Sequence, residues 1–121
     1  MSTILVIDDE KGILQIIRQA LIKFGHSVET ADNGNEGIRK FDGGSYDIVI
    51  TDIRMPGVDG NGVAQHIRQS DKKAVPVIAI SGTPWMQETD HFDLVLQKPF
   101  PLRDLVDSIR TLAPAKTALA S

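Results

Sequence analysis

The feature that most constrains this chain is a repeated alternation. Short aliphatic runs, each ending in a polar residue, are separated by stretches whose apolar residues recur at helical spacing. Ile4, Leu5, Val6 and Ile7 stop at Asp8, Asp9 and Glu10, and Ile48, Val49 and Ile50 stop at Thr51 and Asp52. Val75, Val77, Ile78 and Ile80 stop at Ser81 and Gly82, and Leu94, Val95 and Leu96 run into Gln97, Lys98 and Pro99. A continuous apolar run without in-and-out alternation suits a parallel strand covered on both faces. Residues 28–31 read as a further, weaker strand, and Pro76 sits near the beginning of the fourth, where a missing backbone donor is tolerated.

Between these runs, Ile13, Leu14, Ile17, Leu21 and Phe24 describe one helical face that Gly25 terminates. Ile38 and Phe41 mark a short helix after the Asn33-Gly34 turn, and Val63 and Ile67 mark a third, whose start Gly60 and Gly62 weaken. Leu102, Leu105, Val106, Ile109 and Leu112 form a clean stripe for the last helix. Strands alternating with helices over the whole chain predict an α/β fold: parallel strands joined by right-handed crossovers, with helices on both faces.

At 121 residues the chain is one domain's worth, long enough for an ordinary hydrophobic core. It has no cysteine, which excludes disulfides, thiolate metal sites and a cysteine nucleophile and fits a reducing compartment. A formal net charge of −3 argues against a chain whose main task is neutralising nucleic-acid phosphates. The longest aliphatic run, residues 4–7, is far short of the roughly 20 residues that span a bilayer. Met1, Ser2 and Thr3 carry no positive charge ahead of it, as a signal peptide would. A cytoplasmic location is the expectation.

In an open parallel sheet, ligands bind outside the carboxyl ends of the strands. The first polar residues after each run are therefore the ones to question: Asp8, Asp9, Asp52, Ser81 and Lys98. Three carboxylates, a hydroxyl and an ammonium on one rim make a site for a hard cation and a phosphoryl group. Magnesium is typically held by one or two carboxylates together with phosphate oxygens and water. Two carboxylates about 5 Å apart repel by about 3 kcal/mol at an effective dielectric near 20, so three together call for a cation. Asp52 then has the chemistry of a nucleophile, since carboxylates form aspartyl-phosphates, and the Ser81 hydroxyl is a donor for a phosphoryl oxygen.

Each residue also has a plain structural reading. Asp8 or Asp9 suits a cap on the first helix, Asp52 an Asx-turn, Ser81 a turn ahead of Gly82, and Lys98 a solvated lysine. Independent accidents would have to deliver the right chemistry to the right strand end four times, so the joint reading favours a site.

Asp8-Asp9 after the first strand, Asp52 with Met55-Pro56-Gly57 behind it, Ser81-Gly82 and Lys98-Pro99-Phe100 together resemble the receiver domain of two-component response regulators. The resemblance covers residues 3–112. It implies a flavodoxin-like doubly wound sheet of five parallel strands in the order 2-1-3-4-5, with the receiver domain over residues 1–112 and a flexible tail over 113–121. It implies that Asp52 accepts a phosphoryl group from a sensor histidine kinase or phosphotransfer protein, with Mg2+ as cofactor. Asp9 and Asp52 would bind the metal directly, Asp8 through water, and Arg54 through its main-chain carbonyl. Lys98 would pair with the phosphate across a cis Lys98-Pro99 bond, and Ser81 would move toward the phosphoryl group and report it. Such a domain is a signalling module that catalyses only its own phosphorylation and dephosphorylation. It binds no nucleic acid or membrane directly, acts as a monomer or weak dimer, and passes its signal to a protein target that the sequence does not name. The nine residues after Leu112 are too few for an output domain, so output is expected through another protein or, in a fragment, through an effector beginning after Ser121.

Two departures from the family pattern bear on the switch. Val95 stands where the family usually has an aromatic residue, three positions before the lysine, so no rotating aromatic is the readout there. Only 16 residues separate Ser81 from Lys98, and residues 83–93 contain Pro84 with little helical periodicity, so the fourth helix is expected to be short or irregular. Trp85, Met86 and Phe92 in that segment read as a cap on the core rather than a partner-binding patch. His26, His66 and His91 lack metal-ligand spacing and read as surface or boundary residues. A receiver fold used only for docking, without phosphorylation, is one alternative. A magnesium-dependent phosphohydrolase is the other, but it would want a second carboxylate where Arg54 stands.

Overall fold

The computed structural model describes residues 2–82 and 91–113. Five strands and four helices lie within them: β1 Thr3–Ile7, α1 Lys11–Lys23, β2 Ser27–Ala31, α2 Gly34–Gly43, β3 Ile48–Asp52, α3 Gly60–Arg68, β4 Val77–Ser81, β5 Leu94–Gln97 and α4 Leu102–Leu112. The strands form one sheet in the order β2-β1-β3-β4-β5, and every neighbouring pair is parallel. This is the doubly wound α/β architecture and the 2-1-3-4-5 order expected above.

Successive side chains of a strand point to opposite faces, so each aliphatic run feeds two cores at once. Ile4, Val6, Ile48, Ile50, Ile78 and Ile80 meet Leu14, Ile17 and Leu21 of α1 and Leu105, Val106 and Ile109 of α4 on one face. Leu5, Ile7, Val49 and Val77 meet Phe41 of α2 and Val63, Ala64 and Ile67 of α3 on the other. Full burial of such a side chain is worth about 1.5 to 3 kcal/mol, so the three central strands dominate the stability of the domain. The edge strands differ: β2 alternates exposed and covered residues, and β5 is exposed at both ends. That is why the second run is the weakest in the sequence.

One local expectation is corrected, and the starts of two expected helices are sharpened. The fourth strand starts at Val77, with Pro76 just outside it and its carbonyl accepting from the Val49 N–H at 3.0 Å. The second helix runs ten residues, its open end capped by the Asn33 side chain, which accepts the Glu36 N–H at 2.8 Å. The third helix begins at Gly60 itself. A Cβ there would lie 2.5 Å from the Asp52 carbonyl oxygen and 2.8 Å from the Ile53 Cα, so the glycine is what lets α3 start against the end of β3. Asp59 offsets the weak helix propensity by accepting the Gly62 N–H at 2.9 Å.

At the opposite rim, Arg68 closes α3 onto the starts of β4 and β5. Its guanidinium donates to the carbonyls of His91, Lys73 and Val75 and to Asp93 Oδ2 at 2.7 Å, and that same oxygen accepts the Val77 N–H at 2.7 Å. Phe92 is partly buried against the second core, as a core cap would be. The short or irregular helix expected over residues 83–93, with Trp85 and Met86, falls largely on residues 83–90, outside the described residues; residues 91–93 are not helical. Of the tail expected over 113–121, Ala113 is the C-cap of α4, and residues 114–121 lie outside the described residues. No helix among the described residues is long and apolar enough to cross a membrane.

Candidate functional site

Because all strands run the same way, their carboxyl ends share one rim. Asp8 follows β1, Asp52 ends β3, Ser81 ends β4 and Lys98 follows β5. Local hydrogen bonds fix each. The Asp8 N–H donates to the Ala31 carbonyl at 3.1 Å, extending the β1–β2 ladder by one step, while Asp8 Oδ1 accepts the Glu10 N–H at 2.9 Å and turns the chain toward α1. Beyond Asp52, the Ile53 N–H donates to the Ile80 carbonyl at 3.1 Å, and the Gly60 N–H donates to the Ile53 carbonyl at 2.9 Å. Lys98 is held by its own N–H on the Ser81 carbonyl at 2.8 Å, ahead of a cis Lys98-Pro99 peptide.

The simple capping explanation for the acids fails. The N-cap residue of α1 is Glu10, with no side-chain cap, so neither Asp8 nor Asp9 caps that helix. Their neighbours are charged groups instead. Lys98 Nζ lies 3.3 Å from Asp52 Oδ2, 3.6 Å from Glu10 Oε1 and 3.9 Å from Asp8 Oδ2. The Asp8 and Asp52 side chains are only 1% and 7% exposed, whereas that of Glu10 is 61% exposed. Asp8 Oδ2 is buried without a hydrogen-bond partner. A buried carboxylate oxygen in that state carries a desolvation cost that a cation would relieve.

The electrostatics agree. Burial pushes the Asp8 carboxyl up to about 6, with the charges of Asp52 and Glu10 adding to it and the Glu10 N–H and Lys98 opposing. Burial also raises Asp52, with Asp9 adding, against the pull of Lys98 and the Ile53 N–H. For Lys98, burial favours the neutral amine, but Asp52, Asp8 and Glu10 outweigh it and hold the ammonium above its ordinary value.

The residues singled out in sequence divide into two groups. Asp8, Asp52 and Lys98 come together in direct ion pairs, and Ser81 sits 2% exposed on the neighbouring strand end. Asp9 is exposed, near enough for its charge to act on Asp52, and Arg54 is exposed on the loop after β3. Among the described residues, the carboxylates whose oxygens lie within 4.8 Å of one another are Asp8, Asp52 and Glu10. Glu10 was missed by the sequence reading, although it is the third acid of the Asp8-Asp9-Glu10 run. The two buried carboxylates, Asp8 and Asp52, with the Asp8 oxygen that lacks a hydrogen-bond partner and solvent-exposed Glu10 outside the pair, fit a hard, oxygen-seeking divalent cation such as Mg2+.

Comparison with known proteins gives the same answer from a different direction. The chain is 34% identical over 118 residues to the transcriptional regulatory protein ResD of Bacillus subtilis, which covers 92% of this chain and 48% of ResD. The chain thus spans about half the length of the curated relatives it matches. The crystal structure of the response regulator protein TrrA from Thermotoga maritima in complex with Mg2+-BeF is 35% identical, with a TM-score of 0.85 over 93% of this chain and 99% of that one. TrrA in complex with the histidine kinase ThkA superposes with a TM-score of 0.82 at 35% identity, covering 93% of this chain and 98% of that one. The family model described as the response regulator receiver domain matches residues 4–110, nearly all of the sheet and its helices, and the chain belongs to that family.

Proposed function

We propose that this domain is a phosphoacceptor switch in which Asp52 takes a phosphoryl group from a histidine of a sensor kinase or phosphotransfer protein. The observation that carries this reading is the Asp52 carboxylate, buried at a strand end with Lys98 Nζ 3.3 Å from its Oδ2. One Asp52 oxygen forms the bond to phosphorus as the bond from phosphorus to the donor nitrogen breaks, and the electron pair leaves on that nitrogen. Lys98 pairs with a phosphoryl oxygen, and the Ser81 hydroxyl donates to another. The acids would supply the metal site, Asp9 and Asp52 directly and Asp8 through water, together with the Arg54 carbonyl. When bound there, Mg2+ would screen the incoming phosphate from the carboxylates.

TrrA, with Mg2+-BeF in one structure and a histidine kinase in another, supports the cofactor and the donor class. On this reading the domain is a cytoplasmic signalling module of residues 1–112 followed by a tail over 113–121. It catalyses only its own phosphorylation and dephosphorylation, and switches a protein target as a monomer or weak dimer without touching nucleic acid. With Val95 partly buried on β5 opposite Ala79, the readout runs through Ser81 and not through a rotating aromatic ring. Incubation with Mg2+ and acetyl phosphate is expected to add one phosphate, stable to acid and lost in alkali or hydroxylamine. Equal labelling of Asp52→Asn would sink the assignment. Val95 also favours a second reading, a docking module independent of phosphorylation; no labelling, with a melting temperature that Mg2+ leaves unchanged, would support it.

A further inference from the structure

Among the described residues, three carboxylates share the Lys98 ammonium, and they are not equivalent. Asp8 and Asp52 are almost fully buried, and Asp8 is further tied by its Oδ1 to the Glu10 N–H at 2.9 Å. Neither can withdraw. Glu10 reaches Lys98 Nζ at 3.6 Å from the N-cap position of α1, with a side chain that is 61% exposed. Its backbone is fixed by Asp8, while its carboxylate hangs at the solvent side of the cluster on a chain with three rotatable bonds. Of the three partners, only Glu10 can leave Lys98 without burying or stranding a charge. It is also the exposed acid of the cluster, and a negative charge there opposes the approach of an anion.

We infer that Glu10 is a displaceable counter-ion that occupies Lys98 in the unphosphorylated protein and gives way to the phosphoryl group. This rests on the phosphoacceptor reading of Asp52. Glu10 acts through Lys98 and is a positioning residue: it sets how readily an anionic donor engages the site and leaves the chemical step on Asp52 alone. The role is opposite in sign to that of Asp8 and Asp52, whose removal would damage the site. A phosphoryl oxygen replaces the Glu10 oxygen on Lys98, and the freed carboxylate returns to water at little cost because it is already exposed.

Two variants separate occupation of Lys98 from a general charge effect. Glu10→Gln removes the charge. Glu10→Asp keeps it but falls one methylene short of Lys98. Both are compared with wild type in Mg2+ at low ionic strength, by the acetyl phosphate concentration giving half-maximal phosphorylation rate, by the maximal rate, and by the dissociation constant for beryllofluoride from calorimetry. Both variants should lower the half-maximal concentration and the beryllofluoride constant by about two- to fivefold, the range spanned by an ion pair with an exposed partner, with the maximal rate unchanged. The gain should shrink as salt is added. A gain cannot come from misfolding. Values for both variants within experimental error of wild type overturn the inference, as does a shift in Glu10→Gln that Glu10→Asp does not share. Wild-type protein that takes no phosphate and binds no beryllofluoride overturns the phosphoacceptor reading itself, and this one with it.

Discussion

Asp52 is asked to do two opposed things. As the proposed phosphoacceptor it must remain a carboxylate, yet it is 5% exposed, and burial together with the charge of Asp9 raises its proton affinity. Lys98 compensates in part, but the same ammonium is shared with Asp8 and Glu10. The Asp52 carboxylate is therefore a poorly compensated charge in the metal-free protein. Asp52→Asn keeps the shape and removes that charge, and Lys98 retains its two other carboxylates. The variant is expected to be more stable than wild type without metal, by about 1 to 2 kcal/mol once relaxation is allowed for. For a domain near this size each kcal/mol moves the melting temperature by about 4 to 8 °C, which thermal denaturation in a chelator resolves easily. A lower melting temperature for Asp52→Asn would contradict the crowded-carboxylate account. On the phosphoacceptor reading the same substitution is expected to abolish phosphorylation, so stability and function should part company at one residue.

The site is assembled by elements that have little chemistry of their own. Asp52 is aimed by the end of β3, and the close start of α3 against that end depends on Gly60, where a Cβ would meet the Asp52 carbonyl oxygen at 2.5 Å. Gly60→Ala should therefore destabilise the domain by about 1 to 3 kcal/mol, an overpacking cost falling on backbone that cannot rotate away. It should also slow labelling of Asp52 under conditions where the protein remains folded. Denaturant melts alongside acetyl phosphate labelling check both, and an unchanged rate would show that the α3 start does not position Asp52. From sequence alone, Gly60 reads only as a poor helix former, because its value lies in a tertiary approach that no local pattern records. The central strands were legible for the opposite reason: Ile4 to Ile7, Ile48 to Ile50 and Val77 to Ile80 are covered on both faces, so burial writes them as unbroken apolar runs. β2 was faint because an edge strand needs only half its residues apolar. Asp8, Asp52, Ser81 and Lys98 were legible because a parallel sheet converts the position after a run into a place on one rim. Glu10 was not, since its part depends on a side chain reaching back from the helix start to Lys98.

Over the whole molecule the formal charge is only −3, yet Asp8, Glu10 and Asp52 gather on the Lys98 ammonium at one end of the sheet, with Asp9 close enough to act on Asp52. That uneven distribution makes global stability depend on protons and metal at the rim. Asp8 has an ordinary value of 3.8 when unfolded and about 6 when folded, so between those limits the native state holds a proton that the unfolded chain has lost. Stability linked to this group is present in full below the unfolded value and is lost as pH rises through about 6. The shift corresponds to about 3 kcal/mol at one pH unit per 1.36 kcal/mol, an upper figure because Asp52 titrates with it. Metal-free wild type should therefore melt higher at pH 5.5 than at pH 7.5, and Asp8→Asn should lose most of that difference. Mg2+ competes with the same protons. At pH 7.5 it should raise the melting temperature by mass action, and its dissociation constant should weaken as pH falls below about 6. Melting curves at the two pH values, with chelator and with saturating Mg2+, test the linkage directly. A metal-free protein whose stability rises between pH 5.5 and 7.5, or an Asp8→Asn variant with the same pH profile as wild type, would show that the buried Asp8 oxygen is not where the domain stores its unbalanced charge.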